Sequence, residues 1–168
     1  MLALCETLQC RRVQLLAYFG EISTACGNCD TCLSPPEGWA GTVPAQKLLS
    51  PVVRLPRERG QKFGAQHIID ILLGKRNARI EQQGHDSIAT FGIGCDLGEQ
   101  EWRGVVRQLL AQGVLGVHSD GYGTLVLTDA SVGVLDGSRR VNLRREPERR
   151  AKAAKKSAVA ASLPGEAV

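Results

Sequence analysis

Four cysteines in the first part of the chain have the spacing of a metal site. Cys26, Cys29 and Cys32 lie in the run CGNCDTC, and Cys10 precedes them, which gives the pattern C-x15-C-x2-C-x2-C. Four thiolates complete the tetrahedral shell of a zinc ion, and the two-residue spacing lets one tight turn present two sulfurs to it. Gly27 supplies a turn residue that tolerates a positive φ. A closed shell of four cysteines leaves no position for water, so such a zinc is structural and not catalytic.

Two other kinds of thiol chemistry use related spacings and stay open as alternatives. An iron–sulfur cluster also takes four thiolates, but the bacterial ferredoxin run needs a further cysteine where this sequence has Pro36. A redox C-x-x-C pair normally lies at a helix N-terminus after a strand. The spacing therefore favours zinc. Cys5 lies about 140° from Cys10 on a common helix, so we expect Cys5 to be a small buried residue and not a ligand.

The composition excludes several classes of protein. Hydrophobic residues make up 43% of the 168 residues and charged residues 23%, which is typical of a globular protein and not of a disordered one. No apolar run is long enough to span a bilayer, so we expect no membrane partner. The N-terminus has no basic segment and no cleavage site of a secretory signal, and we expect a cytoplasmic protein. Crowded cysteines in such a compartment indicate a metal site and not disulfides.

Charge and turn residues divide the chain into four segments. The net charge is +4, but residues 138–168 hold nine Lys or Arg against three Glu, so the rest of the chain is close to neutral. That segment has few large apolar residues, and we expect a disordered tail or an interdomain linker. The predicted boundaries are a zinc-binding subdomain at 1–36, a linker at 37–43, a folded domain at 44–137 and the basic tail at 138–168.

The segment 44–137 contains three helical patterns followed by a hairpin pattern. PAQKLLSPVVRL begins at Pro44 and is interrupted by Pro51, where we expect a kink or an early first turn. AQHIIDILL ends at Gly74, and EQEWRGVVRQLLAQG has the clearest helical periodicity and ends at Gly113. VLGV and TLVLT then flank HSDGYG, which is a β-hairpin signal, and Thr128 can cap a last short helix.

Three helices followed by a two-stranded hairpin is the order of a winged helix. The sequence therefore predicts a mainly α protein with a small β-wing: a helical zinc-binding subdomain, a winged-helix domain of the helix-turn-helix type, and a disordered basic tail. The chain has no G-x-x-x-x-G-K-[ST] phosphate loop, no zincin motif and no G-x-S-x-G. We therefore expect no catalysis by this chain alone.

Several of these motifs, in the same order and at similar spacing, resemble one family. CRRVQLLAYFGE and CGNCDTCLSPP, followed by AQKLLSPVVRL, QKFGAQHIIDILLGKRNARI, GHDSIATFGIG and EWRGVVRQLLAQGVL, resemble the C-terminal region of RecQ-family DNA helicases. The resemblance covers about residues 4–137. It includes the zinc-binding subdomain and the winged-helix (RQC) domain, but not the ATPase core that precedes them in the family. The chain thus resembles a fragment, or a separately encoded piece, of an ATP-dependent 3′–5′ helicase of DNA replication, recombination and repair.

The resemblance implies a zinc site and a strand-separating wing. The zinc ligands of the family match the four cysteines of the C-x15-C-x2-C-x2-C pattern. A planar side chain at the wing tip packs on the terminal base pair of a fork, and Tyr122 occupies that position within Asp120, Gly121, Tyr122 and Gly123. Such a ring can replace the stacking partner that is lost when a pair opens, which is worth about 1 kcal/mol or more. The alternative is that Tyr122 is only an exposed turn aromatic.

The resemblance also implies two sets of phosphate contacts. The loop after the second helix offers Arg76, Asn77 and Arg79, with Lys75 beside them, and the Trp102 helix offers Arg103 and Arg107. These side chains would hold the backbone without reading sequence, so binding is expected to weaken with salt. The alternative for each is a solvated charged face.

The sequence also departs from the family pattern. Cys95 stands where the family commonly has a basic residue, and Arg57, Arg59 and Lys62 are candidates to replace that charge. His85 and Asp86 match a usual pair of the family, which we interpret as a packing and capping pair.

The partners expected from the resemblance are duplex or forked DNA and a helicase motor or a single-strand-binding protein. Zn²⁺ is the expected cofactor, with ATP and Mg²⁺ acting only through a motor domain. The expected location is the bacterial nucleoid, and the basic tail is either a linker or a nonspecific DNA anchor. Two other classes of function stay open: a zinc-containing winged-helix transcription regulator and a protein-interaction scaffold.

Overall fold

The chain folds mainly into helices, with two pairs of short strands. The computed structural model describes residues 2–118 and 123–145. In these residues the elements are α1 (Leu2–Glu6), α2 (Arg11–Tyr18), α3 (Asp30–Leu33), β1 (Gly38–Ala40), α4 (Thr42–Arg59), α5 (Ala65–Leu72), α6 (Ala78–Gln82), a 3₁₀ turn (His85–Ser87), α7 (Glu99–Ala111), β2 (Leu115–Val117), β3 (Leu125–Leu127), α8 (Asp129–Leu135) and β4 (Asn142–Arg144).

Helices α4, α5 and α7 surround the main core. Trp102 of α7 is fully buried, and its indole N–H donates to the carbonyl oxygen of Gly94 at 2.8 Å. Leu48 of α4 and Ile68 of α5 are also buried against this core. Burial of one such side chain stabilises the fold by roughly 1.5–3 kcal/mol. A Cβ on Gly94 would lie 2.7 Å from the indole of Trp102, so the close approach of the loop to α7 requires glycine there.

Helix α4 is longer than its sequence pattern predicts. It runs from Thr42 to Arg59 and includes both Pro51 and Pro56. Each of these prolines removes a backbone hydrogen bond from the helix interior. Pro51 is buried, and α4 contacts α5, α7, α8 and β3, so tertiary packing offsets the lost bonds. The helix ends at Gly60, whose φ is +66°.

The predicted wing is present as an antiparallel pair. Strand β2 pairs with β3 in a register that places Leu115 opposite Leu127 and Val117 opposite Leu125. These four side chains lie on one face of the pair. Leu115 and Leu125 are buried, while Val117 is 52% and Leu127 39% exposed, so the core covers only part of that face. The tip of the wing, with the predicted residues Asp120, Gly121 and Tyr122, lies outside the described residues. The fold class predicted from the sequence, a mainly helical protein with a β-wing, is confirmed.

A second strand pair joins segments that the sequence pattern separates. Strand β1 lies in the predicted linker and pairs antiparallel with β4, which lies in the predicted tail; Trp39 is opposite Leu143. Val141 and Leu143 are buried, and a Cβ on Gly41 would overlap the Leu143 side chain. The prediction of a disordered tail from residue 138 is therefore wrong for 138–145, because two alternating apolar residues are enough to dock this basic segment. Residues 146–168 lie outside the described residues.

The N-terminal helices pack on the winged helix through α1 and α7. Glu6 of α1 pairs with Arg107 of α7, and Arg144 of β4 donates to the backbone carbonyl of Cys5 at 3.4 Å. The Cys5 side chain is exposed, so the expectation that it is buried is wrong. The helix is interrupted between α1 and α2, so Cys5 and Cys10 do not lie on a common helix. Cys10 is instead the N-cap of α2. None of the described helices is long and apolar enough to cross a membrane.

Candidate metal centre and nucleic-acid interface

The structure brings the four cysteines of the predicted site together. The sulfur atoms of Cys10, Cys26, Cys29 and Cys32 all lie within 4.8 Å of one another. Cys10 Sγ is 3.6 Å from Cys26 Sγ and 3.8 Å from Cys29 Sγ. Zinc–sulfur bonds of about 2.3 Å in a regular tetrahedron place two sulfurs about 3.8 Å apart. The four sulfurs therefore have the number and separation of a closed tetrahedral zinc shell.

Helix ends and one tight turn position these sulfurs. Cys10 is the N-cap of α2 and Cys29 is the N-cap of α3, so each thiol lies beside the first turn of a helix. Gly27 has a φ of +70°, which lets the chain turn back between Cys26 and Cys29. The backbone N–H of Cys26 donates to Cys10 Sγ at 3.3 Å. This bond is the largest of the contacts that lower the pKa of the Cys10 thiol, and it favours the thiolate, which is the ligand form.

Two pairs of side chains that the sequence analysis missed surround the sulfurs. Arg11 donates to both carboxylate oxygens of Asp30, at 2.6 and 2.7 Å, and this contact lowers the pKa of Asp30 to about 2. Thr31 Oγ1 lies 3.0 Å from the carbonyl oxygen of Gln9 and 3.2 Å from Cys29 Sγ, so its proton can go to either. Both pairs join the Cys10 region to α3. Their signal in the sequence is that Arg11 follows Cys10 and Asp30 follows Cys29.

Of the predicted phosphate-binding loop, Arg76 and Arg79 are exposed and Asn77 is used by the fold. Asn77 is the N-cap of α6: its side-chain oxygen accepts from the Ile80 N–H at 2.9 Å, and its amide donates to Asp70 at 3.3 Å. Arg79 places its guanidinium 5.6 Å from the centre of the Phe63 ring. Among the described residues, no carboxylate lies within ion-pair distance of Arg76 or Arg79. These two cations have the freedom to meet phosphate.

The other predicted cations already contact carboxylates. Arg103 donates to Glu99 at 2.6 Å and to the Gln66 side-chain oxygen at 2.9 Å. Glu99 also contacts Lys75, and Lys75, as the strongest of its contacts, lowers the pKa of the Glu99 carboxyl. Arg107 pairs with Glu6 of α1. An approaching phosphate group must therefore compete with Glu99 for Lys75 and Arg103. The i,i+4 spacing of Glu99 and Arg103 can be read from the sequence, but the contact of Glu99 with Lys75 cannot.

A cationic groove of about 550 Å³ lies between the start of α5 and the base of the wing. Its lining includes Lys62, Phe63 and His67 on one side, Arg79 on another, and Gly123 with Thr124 of the wing. Two cations and no carboxylate are present in this part of the described chain. The groove thus offers a surface to an anion directly beside the wing.

His85 packs in the interior beside a second histidine. It is fully buried, and its Nδ1 lies 2.8 Å from His67 Nε2, while its Nε2 lies 3.2 Å from Gln61 Oε1. The packing role predicted for His85 agrees with this burial, whereas its pairing with His67 was not predicted. Sequence patterns cannot find this pair, because the two residues lie on separate elements.

The candidates to replace the basic charge at position 95 are spread along the end of α4. Cys95 has an exposed thiol whose sulfur lies 3.5 Å from the carbonyl oxygen of Leu73. Arg57 and Lys62 are exposed, and Arg59 contacts the backbone carbonyl of Gly84 at 3.4 Å. Lys62 alone of these three lines the groove beside the wing.

The fold and the cysteine cluster define a class: a four-cysteine metal-binding subdomain docked on a winged helix. Comparison with known families makes the assignment specific. Residues 35–152 match the family model of the RQC domain, and residues 1–33 match that of the RecQ zinc-binding domain. The chain belongs to the RecQ helicase family, as the resemblance of its motifs predicts.

The curated relatives that this chain matches are much longer proteins. The chain is 41% identical to the ATP-dependent DNA helicase RecQ of Haemophilus influenzae over 140 residues, which is 82% of this chain and 22% of that protein. It is 37% identical to the ATP-dependent DNA helicase RecQ of Pasteurella multocida over the same shares. For the RecQ of Bacillus subtilis the identity is 26%, over 23% of that protein. The chain thus spans about a fifth of these relatives (22% of the first two).

Proposed function

We propose that this chain is the DNA-binding and strand-separating part of a RecQ-type 3′–5′ helicase. It grips duplex DNA at a fork, and the wing parts the terminal base pair, while an ATPase motor supplies the energy. The observation that carries the proposal is the cationic groove between α5 and the wing, whose described lining includes Arg79 and Lys62 and no carboxylate. A groove of this charge attracts the phosphate backbone and places it next to the wing.

The proposed DNA contacts are of two kinds: cations that hold the phosphate backbone (the phosphate grip) and the wing tip that separates the terminal base pair (the wedge). Arg76 and Arg79 lie on the α5–α6 side and meet backbone phosphates, which gives affinity without sequence information. Arg103 and Arg107 of α7 join them once their carboxylate partners are displaced. The wing follows α7 directly, so a duplex held by these cations has its end at the wing tip. There Tyr122, within Asp120, Gly121 and Gly123, supplies the ring that stacks on the terminal pair.

The proposed role of zinc is structural. Zn²⁺ bound by Cys10, Cys26, Cys29 and Cys32 would join the start of α2 to the loop before α3. The metal supplies no reaction step, because four thiolates fill its coordination shell. The part of the chain before α4 has few buried apolar residues of its own, with Cys10 as its buried hydrophobic residue among those described. A metal is therefore needed to give this small unit a fixed shape.

The surface proposed for the motor lies on α2 and the chain after it. Tyr18 is 84% exposed, Phe19 74% and Ile22 100%, and a hollow of about 250 Å³ between α1 and α2 is lined by Leu4, Leu15 and both aromatic rings. A group of large apolar side chains in water marks an interface. The relatives are named as ATP-dependent helicases, and this chain spans 22% of their length. The occupant that fits is the ATPase portion of such a helicase, in the same or in a separate chain.

Fluorescence anisotropy with labelled DNA tests the proposed function. We expect the chain to bind a forked or 3′-tailed duplex more tightly than a blunt duplex, and Tyr122→Ala to remove that preference while blunt-end affinity stays unchanged. Tyr18→Ala is the matched control, because the chain has two tyrosines and Tyr18 lies on the proposed motor surface. Tight binding to a single duplex sequence would instead indicate a transcription regulator. Absence of DNA binding at low salt would indicate a protein scaffold.

A further inference from the structure

A buried pair of histidines lies under the groove at the base of the wing. His67 of α5 is 7% exposed and His85 of the 3₁₀ turn is 0% exposed. If Gln61 Oε1 accepts from His85 Nε2–H, then His85 Nδ1 is the acceptor for His67 Nε2–H, so each of the two contacts has one proton. In the neutral pair, each of these two contacts thus has one donor and one acceptor. Through them the pair connects α5 to the turn after α6 and to the loop before α5.

Phe63 connects this pair to both DNA-facing elements. Its ring stacks on His67, with centroids 4.1 Å apart, and meets the edge of His85 at 4.9 Å. The guanidinium of Arg79 lies 5.6 Å from the centre of the same ring. The backbone carbonyl of Phe63 accepts from the Leu125 N–H of the wing at 2.9 Å. The next residue, Gly64, pairs with Thr124 in an isolated antiparallel bridge.

Burial, assisted by neighbouring charges, keeps the pair neutral. Burial, followed by the charges of His85 and Arg79, lowers the pKa of His67 to about 4, and Asp70 opposes this. Burial and then Arg59 of α4 lower the pKa of His85. One added proton would go to His67 Nδ1 and place a buried positive charge near Arg79. A second would go to His85 Nδ1 and place N–H against N–H. At neutral pH the pair therefore acts as an uncharged hydrogen-bonded support.

We propose that His67 and His85 are positioning residues: they fix Phe63, and Phe63 in turn holds Arg79 by its ring and the wing by its carbonyl. This inference rests on the proposed function, because Arg79 and the wing are its DNA contacts. Neither histidine is a proposed DNA contact, because His85 is fully buried and His67, which lines the groove, is only 7% exposed. Their role is to set the distance between the phosphate grip and the wedge, which are joined through one aromatic residue.

The test compares two substitutions at one position. His67→Gln keeps a side-chain N–H where His67 Nε2–H donates, whereas His67→Leu removes it. At pH 7.5 we expect His67→Leu to weaken binding of a forked duplex about tenfold, which is the size expected for one lost positioning contact. His67→Gln should retain most of the affinity of the parent chain. Val134→Ala is the control for stability, since it opens the core at α8 away from the pair and should leave DNA affinity unchanged.

Two further readouts separate positioning from a general loss of stability. The side-chain N–H signal of Arg79 should carry a ring-current shift from Phe63, which His67→Leu removes and His67→Gln keeps. The effects of His67→Leu and Arg79→Ala on DNA affinity should be non-additive. If His67→Leu does not fold, Phe63→Leu replaces it in the same cycle. Additive effects, an unchanged Arg79 signal, or equal loss in Val134→Ala would overturn the inference, whereas a parent chain that binds no DNA would overturn the proposed function itself.

Discussion

At the scale of single residues, the proposed DNA face is defined as much by its carboxylates as by its cations. Arg76 and Arg79 have no carboxylate partner among the described residues, but Lys75 and Arg103 share Glu99. Exposed ion pairs of this kind contribute little to stability, typically about 0–1 kcal/mol. They do set the charge that an approaching phosphate meets. Glu99 therefore opposes DNA binding twice, by its own charge and by occupying two cations.

Glu99→Gln should strengthen DNA binding, because it removes one negative charge, takes away the carboxylate partner of Arg103 and leaves Lys75 with Asp70 alone, at 3.8 Å. We expect affinity for a forked duplex to rise about three- to tenfold at low salt, and the slope of log affinity against log salt to become steeper by about one or two phosphate contacts. A salt series of anisotropy titrations measures both quantities. Glu58→Gln is the control, since Glu58 pairs with Arg54 on α4. Equal or weaker binding by Glu99→Gln would show that Lys75 and Arg103 do not meet DNA.

At the scale of elements, the features that the sequence predicts correctly are those that depend on residues close together in the chain. The cysteines cluster as predicted because three of them lie within one turn of chain, and the glycines at 74 and 113 have the positive φ of helix ends. The helices α5, α7 and α8 follow the apolar periodicity of their own residues. These features depend on neighbours a few residues away, so they can be read from the sequence.

Features formed by distant residues could not be predicted. Strand β1 has three residues and pairs with β4 about a hundred residues later, and the basic composition around Leu143 hides its apolar alternation. The continuation of α4 through Pro51 depends on packing against four other elements. The carboxylate partner of Arg107 lies on α1, about a hundred residues away in the sequence. In each case tertiary contacts outweigh the local preference.

The cysteine-containing element should lose its fold without its metal. We expect the purified chain to contain one equivalent of zinc, and Cys29→Ser to lose it, because three thiolates hold zinc much more weakly than four. The substitution should lower the melting temperature and expose the α2–α3 region to protease. Cys95→Ser is the matched control, since Cys95 is an exposed thiol outside the cluster. Iron with visible absorption, or full stability of Cys29→Ser, would contradict a structural zinc.

At the scale of the whole molecule, the buried histidines link stability to pH. The folded pKa of His67 is about 4, below the ordinary value of 6.5, so the unfolded chain binds this proton first. The contribution of neutral His67 to the free energy of unfolding is fully present above about pH 6.5. It is lost as the pH falls toward about 4. We expect the free energy of unfolding to fall by roughly 1–3 kcal/mol across this window.

Urea titrations at several pH values measure this dependence. His67→Gln should have a flatter profile than the parent, because the substituted side chain does not titrate. Val134→Ala, which changes no titratable group, should lower the stability but keep the pH dependence of the parent. Parallel profiles of the parent and of His67→Gln would show that His67 already titrates normally in the folded chain.

The whole molecule also joins its two proposed surfaces through one helix. Helix α7 contacts α1, which lies beside the apolar surface proposed for the motor, and its C-terminal end leads into the wing through Gly113. The four-cysteine unit is thus docked on the same helix that leads into the hairpin proposed to separate the strands. Such an arrangement fits a module that holds the wedge at a fixed position relative to a motor.

If the wing parts the terminal base pair of a fork, the fluorescent base 2-aminopurine placed in that pair should report the opening. Its fluorescence rises when the base leaves the stack. We expect binding of the chain without ATP to raise the signal at the terminal pair but not at a pair deep in the duplex, and Tyr122→Ala to bind with the signal unchanged from free DNA. If the fluorescence at the terminal pair stays at the level of free DNA while the parent chain is bound, the wing does not open that pair.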